Sequence, residues 1–264
     1  MSAANMAIPF TKASACGNDF LLIPGTVAPA DLSQFTRRVC DRHNGVGADG
    51  VEWLYPAGQA DIEARLVNAD GSEAEISGNG TRCVAAYLCA EQGRESIAIL
   101  TAAGLKVCTL TARSGSRYEF ETAMGMPDVG PELTARTSLG PVRGVSVSMG
   151  NPHFVLLVDE LGSDWQSRSA EIQRDPQFRQ GVNVEWVVVR DRENIDVRFF
   201  ERGVGETQSS GTGSCASAVA AIASGRARSP VRVHSPGGIQ WVRYETEVFL
   251  RGPAELICRG EFFV

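Results

Sequence analysis

Two short stretches hold the residues best placed to do chemistry: Ser77-Gly78-Asn79-Gly80-Thr81-Arg82-Cys83 and Ser210-Gly211-Thr212-Gly213-Ser214-Cys215. Each reads Ser-Gly-x-Gly, and their serines stand 133 positions apart (210 − 77). Each is followed by an apolar run of small residues, Val84-Ala85-Ala86-Tyr87-Leu88 and Ala216-Ser217-Ala218-Val219-Ala220-Ala221-Ile222. This pattern predicts a loop that feeds the N-terminus of a buried helix. A helix N-terminus offers unpaired N–H groups and a partial positive charge, which suits an anion such as a carboxylate. The serine would stand at the mouth of that site.

Other polar residues fall at predicted turns and strand ends. Asn18, Asn68, Asn79, Asn151 and Asn183 all do so. A single turn asparagine is ordinarily structural, because Asn tolerates left-handed backbone and bonds locally. Five together fit the lining of a polar pocket, since an amide offers two donors and an acceptor for an ammonium and a carboxylate. Glu201-Arg202 follows a strand-like run. The bland reading is an exposed ion pair worth little. The sharper one is Arg202 clamping a carboxylate while Glu201 receives an ammonium or a proton. His153 follows Asn151-Pro152 and is a candidate for orienting groups in the pocket.

The elements that must position these residues come in two similar series. In the first, strands are predicted at 20–23, 51–55, 61–67, 97–101, 105–111 and 118–122. A helix over 31–42 has Asp31 as its N-cap, and the small-residue helix after Ser77 ends near Gly93. Gly45-Val46-Gly47-Ala48-Asp49-Gly50 has glycines enough for a dinucleotide loop, but a strand follows rather than a helix, which excludes it. Residues 125–140 are rich in Gly, Pro and polar side chains and read as a crossing between domains. The second series has strands at 145–148, 154–158, 182–189, 194–200, 231–234, 239–244 and 248–250, with a helix at 161–174. A last strand near 256–262 could belong to either half. The expected fold is α/β (α+β), with two pseudo-symmetric halves. Each half is a strongly curved, mostly antiparallel sheet or barrel around a central helix. The halves are 1–124, with 254–264 added, and 125–253.

Composition narrows the function classes. The chain has 264 residues, 43% of them hydrophobic, and a net charge of −6. An acidic chain argues against a nucleic-acid partner. No apolar run is long enough for a membrane-spanning helix. Met1-Ser2-Ala3-Ala4-Asn5-Met6 lacks the regions of a signal peptide. The expectation is therefore a cytoplasmic protein. Seven scattered cysteines without a CxxC pair, and three separated histidines, predict reduced, mostly buried thiols and no metal site.

Taken together, the motifs resemble the diaminopimelate epimerase family over nearly the whole chain. They are Gly17-Asn18-Asp19-Phe20, Gly45-Val46-Gly47-Ala48-Asp49-Gly50, Asn68-Ala69-Asp70-Gly71-Ser72-Glu73, Gly78-Asn79-Gly80-Thr81-Arg82-Cys83, Gly150-Asn151-Pro152-His153, Gly181-Val182-Asn183 and Glu201-Arg202-Gly203-Val204-Gly205-Glu206-Thr207. The resemblance implies a cofactor-independent isomerase that uses neither pyridoxal phosphate nor metal. It would interconvert LL- and meso-diaminopimelate by two-base proton transfer at Cα, in a cleft between the halves. It also implies a cytoplasmic homodimer serving lysine and peptidoglycan-precursor synthesis. By position, substrate contacts would fall on Asn18, Asn68, Gly78, Asn79, Asn151, Asn183, Glu201, Arg202, Gly211 and Thr212. His153 and Glu201 would support catalysis.

One departure stands out. The family's two catalytic cysteines fall on Ser77 and Ser210. A thiol ionises near pH 8.5, and a helix N-terminus lowers that further. A serine hydroxyl is far less acidic, and these motifs hold no adjacent base comparable to a Ser–His pair. Cys83 and Cys215 lie inside the predicted helices, about 1.5 turns on, and cannot take over. Three readings remain: a double Cys→Ser variant that traps substrate, a divergent member working through serine, Glu201 and His153, and a catalytically silent amino-acid-binding homologue. A superfamily isomerase of another small acid, with Glu201 and His153 as its working groups, is a further alternative.

Overall fold

The computed structural model describes residues 7–264. Met1-Ser2-Ala3-Ala4-Asn5-Met6, read above for a leader, lie outside the described residues. The chain divides into two compact units. One holds the described residues up to Thr122 together with Gly252–Val264, and the other is Ala123–Arg251.

The first unit opens with β1 (Ala7–Ala15) and β2 (Asn18–Pro24), an antiparallel hairpin. Its turn places Cys16 and Gly17 at positive φ (51° and 77°), as a two-residue hairpin turn of right-handed strand twist requires. Helix α1 (Leu32–Cys40) crosses over to β3 (Gly50–Tyr55), which lies parallel to β2. Asp31 caps α1 as expected, accepting from Gln34 N at 2.8 Å. Next come β4 (Ile62–Asn68), the short β5 (Glu73–Ala74) and α2 (Gly78–Gln92). Gly93, in left-handed backbone (φ 67°), ends α2 where the sequence placed its end. Strands β6 (Ser96–Thr101), β7 (Gly104–Ser114) and β8 (Arg117–Gly125) follow.

Alternation along the strands sorts the side chains into two layers. On β2, Phe20 and Leu22 face α2, while Leu21 and Ile23 face α1 with Trp53, Phe35 and Val39. Both faces of this sheet are therefore buried, which is why these strands read as continuous apolar runs. Helix α2 is buried on almost every side, so it carries Cys83, Val84, Ala85 and Ala86 rather than an amphipathic stripe.

The second unit repeats this order. Its elements are β9 (Asp128–Thr137), β10 (Gly140–Ser148), β11 (Pro152–Val158), α3 (Trp165–Gln173), β12 (Asn183–Asp191), β13 (Asn194–Glu201), β14 (Gly205–Thr207) and α4 (Gly211–Ala223). Then come β15 (Val231–Ser235), β16 (Gly238–Tyr244) and β17 (Val248–Phe263). Strands β11 and β12 are parallel across α3, just as β2 and β3 are across α1. Strands β13 and β15 are parallel across α4, just as β4 and β6 are across α2. The remaining neighbours are antiparallel. Val147, Val155, Val187, Val197, Phe199 and Leu250 surround Ala216, Val219 and Ala220 of α4, whose core residues are fully buried.

Two sequence expectations are corrected. Residues 125–140, read as a crossing, contain a ten-residue strand, β9, paired antiparallel with β10. Its side chains are mostly exposed, with Ala135 and Leu133 packed toward α3, so little alternation marks it in the sequence. Pro131 falls opposite the bulge between Val145 and Val147, where a missing N–H is tolerated. The runs at 248–250 and 256–262, read as separate, are one 16-residue strand, β17. Its residues from 255 on pair with β1, and Leu256 N donates to Ser116 O at 3.0 Å, while Val248–Arg251 pair with β16. Through β17 the eight strands β1, β2, β3, β4, β6, β7, β8 and β17 close on themselves around α2.

Helix burial of this kind leaves no room for larger side chains. Ala218→Leu on α4 is expected to destabilise the protein by about 1–3 kcal/mol, read as a lowered midpoint in urea unfolding.

Candidate active site

In the first unit Ser77 is the N-cap of α2, in extended backbone (φ −121°, ψ 123°), and its Oγ accepts from Gly80 N at 3.1 Å. A side-chain oxygen here satisfies one of the helix's orphan N–H groups. A Cβ on Gly78 would meet nothing within 4 Å, so the approach to the helix start is open. The Asn79 amide donates to Asn18 Oδ1 at 3.4 Å, and the Arg82 guanidinium donates to Asn79 Oδ1. Asn18 in turn donates to Asp49 Oδ2 at 2.6 Å, an oxygen that also takes Asp19 N at 3.0 Å.

Charges beneath this corner are matched. Arg42 bridges Asp19 and Asp49 at 2.8 and 2.7 Å, and Lys12 Nζ lies 2.9 Å from Asp19. Burial works to raise the Asp19 carboxyl, but the hydrogen bonds and charges of Arg42 and Lys12 outweigh it and hold it below the usual carboxylate range. Asn68 spends its amide inside its own turn, donating to Ser72 Oγ at 3.0 Å. The structure thus joins Asn18 to Asn79 and gives Asn68 a local role.

The second unit is built alike. Ser210 is the N-cap of α4 (φ −140°, ψ 128°) and accepts from Gly213 N at 3.2 Å. Asn151 Nδ2 donates to Thr212 Oγ1 at 3.3 Å, and Asn151 Oδ1 lies 3.0 Å from His153 Nε2. His153 Nδ1 lies 2.7 Å from Glu185 Oε1. Each ring nitrogen thus has an oxygen within hydrogen-bonding distance, the tautomer setting which one donates. His153 is only 1% exposed, because alternation on β11 turns it, with Val155, toward α4. Asn183 donates to Pro152 O at 3.1 Å and accepts from Arg202 N at 3.0 Å, while the Arg202 guanidinium donates to Gln180 O. Glu201 ends β13, half-buried, opposite Gly205.

Two buried acids were missed in the sequence. Glu52 on β3 and Glu185 on β12 are 3% and 0% exposed. Glu52 shares the face of Leu54, which packs on α2. Glu185 shares the face of Val187, which packs on α4. A signal was present: both lie in Val-Glu-Trp, at 51–53 and 184–186, spaced by the same 133 positions as the serines. Burial pushes the Glu52 carboxyl up to about 8. Burial raises Glu185 as well, against the pull of His153 and with a smaller push from Glu201. The other motif residues, Cys83 and Cys215, are fully buried. Burial raises the Cys83 thiol far above its ordinary value, so it is inert at neutral pH.

The fold is shared with a hydroxyproline epimerase from Agrobacterium vitis, solved with bound trans-4-hydroxy-L-proline. The likeness has a TM-score of 0.70 at 18% identity and covers 98% of this chain and 93% of that one. A phenazine biosynthesis protein of the PhzF family from Bacillus anthracis matches with a TM-score of 0.70 at 15% identity, over 98% and 100%. These likenesses define a fold class of two repeated units, each a curved sheet around a buried helix. Sequence goes further. The family model described as diaminopimelate epimerase matches residues 10–128 and 145–257. The diaminopimelate epimerase of Moorella thermoacetica is 37% identical over 275 residues, 96% of this chain and 98% of that protein. That of Pelotomaculum thermopropionicum is 38% identical over 276 residues, with the same coverage. The chain belongs to the diaminopimelate epimerase family.

The buried acid gives a pH-dependent prediction. An unfolded-state Glu52 ionises near 4.5, whereas the folded one holds its proton to about 8. Its contribution to stability is fully present below the lower value and is lost as pH rises through the higher one. Glu52→Gln should therefore match the parent near pH 4 and exceed it near pH 9, by on the order of 1–3 kcal/mol. Urea unfolding at the two pH values measures it.

Proposed function

We propose that this protein is a cofactor-independent amino-acid epimerase that interconverts LL- and meso-diaminopimelate by proton transfer at Cα. The observation that carries this reading is the serine-capped start of a buried helix, present in both units with amide groups beside it. Such a start binds a carboxylate through helix N–H groups. It also stabilises the charge that enters that carboxylate when the Cα–H bond breaks, which is where such a reaction needs stabilisation most. Ser77 is proposed to serve one proton transfer and Ser210 the other. His153 and Glu201 support them, and Asn18, Asn68, Gly78, Asn79, Asn151, Asn183, Arg202, Gly211 and Thr212 hold the substrate. The reading includes a cytoplasmic homodimer that needs no pyridoxal phosphate and supplies lysine synthesis. Family membership supports these last points.

One observation favours a second reading, a silent amino-acid binder. The oxygens of Ser77 and Ser210 already act as helix caps, and a hydroxyl is a poor base for a Cα proton. Incubation with LL-diaminopimelate in deuterium oxide, followed by proton NMR at Cα, separates the two. The parent is expected to exchange its α-proton. The S77C/S210C double variant is expected to do so at least about 100-fold faster, since a thiol is the better general base near neutral pH. A folded parent that leaves Cα unexchanged while S77C/S210C exchanges it makes the protein a binder with the epimerase pocket. Loss of exchange in both removes the substrate assignment.

A further inference from the structure

Glu52 and Glu185 stand out from the rest of the two cores. Each is buried against the central helix of its own unit, where an apolar side chain would pack without desolvation cost. Burial alone shifts the Glu52 carboxyl, and among the described residues Glu185 Oε2 is buried without a hydrogen-bond partner. A buried polar atom without a partner needs an explanation, because leaving it so costs stability. A buried glutamate at the same place in both repeats is not a packing accident.

Each also lies against the glycine at the third position of its central helix. The Cβ that Gly80 lacks would lie 2.1 Å from Glu52 Oε1 and 3.2 Å from Ser77 Cβ. The carboxyl and the serine side chain thus flank one point, and the absence of a side chain at position 80 is what lets the acid in. In the other unit the missing Cβ of Gly213 would lie 2.9 Å from Glu185 Oε1. Gly213 is also the residue whose N–H the Ser210 hydroxyl accepts.

We propose that Glu52 and Glu185 are the proton stores of the two helix starts, Glu52 acting through Ser77 and Glu185 through Ser210. This rests on the proposed proton transfer at Cα and supplies what serine lacks, a base behind the hydroxyl. When the Cα–H bond breaks, its proton passes to Ser77 Oγ, and the proton already on that oxygen passes to the Glu52 carboxylate. The electron pair stays on Cα and spreads into the α-carboxylate. In the return step the Ser210 hydroxyl gives its proton to Cα and takes one from the Glu185 carboxylic acid. Charge balances, since one carboxylate becomes an acid and one acid becomes a carboxylate. In the opposite direction the two carboxyls exchange roles. Both glutamates act through another side chain and are positioning residues. Burial holds each carboxyl's affinity for a proton above that of an exposed glutamate, and brings the Glu52 carboxyl up to about 8, where it both accepts and releases a proton near neutrality. The Glu52 carboxyl bears on the Cys83 thiol of α2, which Arg82, Cys16 and Asp19 also influence. Those around Glu185 are His153 and Glu201.

The test places a reporter at the serine. In S77C, the rate of alkylation by iodoacetamide at that position is followed from pH 6 to 10 by peptide mass spectrometry, with and without E52Q. Site resolution separates it from Cys258, which is exposed in the parent. A carboxylate beside the thiol disfavours the thiolate and raises the pH at which it forms, so E52Q is expected to lower the alkylation midpoint by about one pH unit or more. Coincident midpoints overturn the proposal. S210C with E185Q is the matching pair in the second unit. In parallel, E52Q in the parent is expected to slow Cα exchange at least about 100-fold with a smaller change in KM, and E52D to recover part of the rate. Circular dichroism confirms that the variants are folded. Unchanged exchange in folded E52Q also overturns the proposal. A shifted midpoint without any parental exchange removes the epimerase reading and leaves the coupling of acid to serine standing.

Discussion

Each unit depends on burying a helix end to end and still satisfying its N-terminus. α2 and α4 sit inside their sheets with almost no exposed residue, so neither start is solvated as a surface helix would be. Ser77 and Ser210 solve half of that problem by capping Gly80 N and Gly213 N. The N–H groups that remain are a standing demand for an anion. Small residues along both helices, glycine at the third helical position and a cap with a short polar side chain all follow from this one constraint.

The repeat extends the constraint to both halves of the chain. In each unit a surface helix, α1 or α3, links two parallel strands, and the buried helix links two more. Both faces of the central strands are therefore covered. A side chain on such a strand points either to the outer helix or to the inner one, and the register decides which. That is how Glu52 and Glu185 come to lie under the inner helices while Trp53 and Trp186 lie under the outer ones.

The units differ in what surrounds the serine. In the first, Asn18 and Asn79 are held by Asp49 and Arg82 above an ion-paired Asp19. In the second, a chain runs from Thr212 through Asn151 and His153 to Glu185. Burial alone raises the Glu52 carboxyl, whereas the Glu185 carboxyl, also raised by burial, feels the opposing pull of a histidine, so the two acids sit in different settings. A reaction that needs one group to accept a proton and another to donate one fits such an inequality.

The local order of the chain was legible before any fold was known. The Ser-Gly-x-Gly pair, the Asp31 cap, the stop at Gly93 and the strand after Gly50 are written in short-range chemistry, where capping, φ preference and periodicity act within a few residues. β9 was not legible, because a strand with so few buried side chains carries little alternation, and its pairing with β10 is what makes it a strand. The continuity of β17 was hidden for a related reason: its two parts pair with different neighbours, and no local feature joins them. Among the candidate site residues, the asparagines and His153 were singled out by type and position. The depth of His153 and the Arg202 contact to Gln180 depend on contacts across tens of residues. Glu52 and Glu185 show the division best. Their Val-Glu-Trp settings repeat plainly in the sequence, yet a glutamate in a strand is ordinarily on the wet face. Only a sheet wrapped on both sides by helices turns that residue into a buried acid beneath a serine.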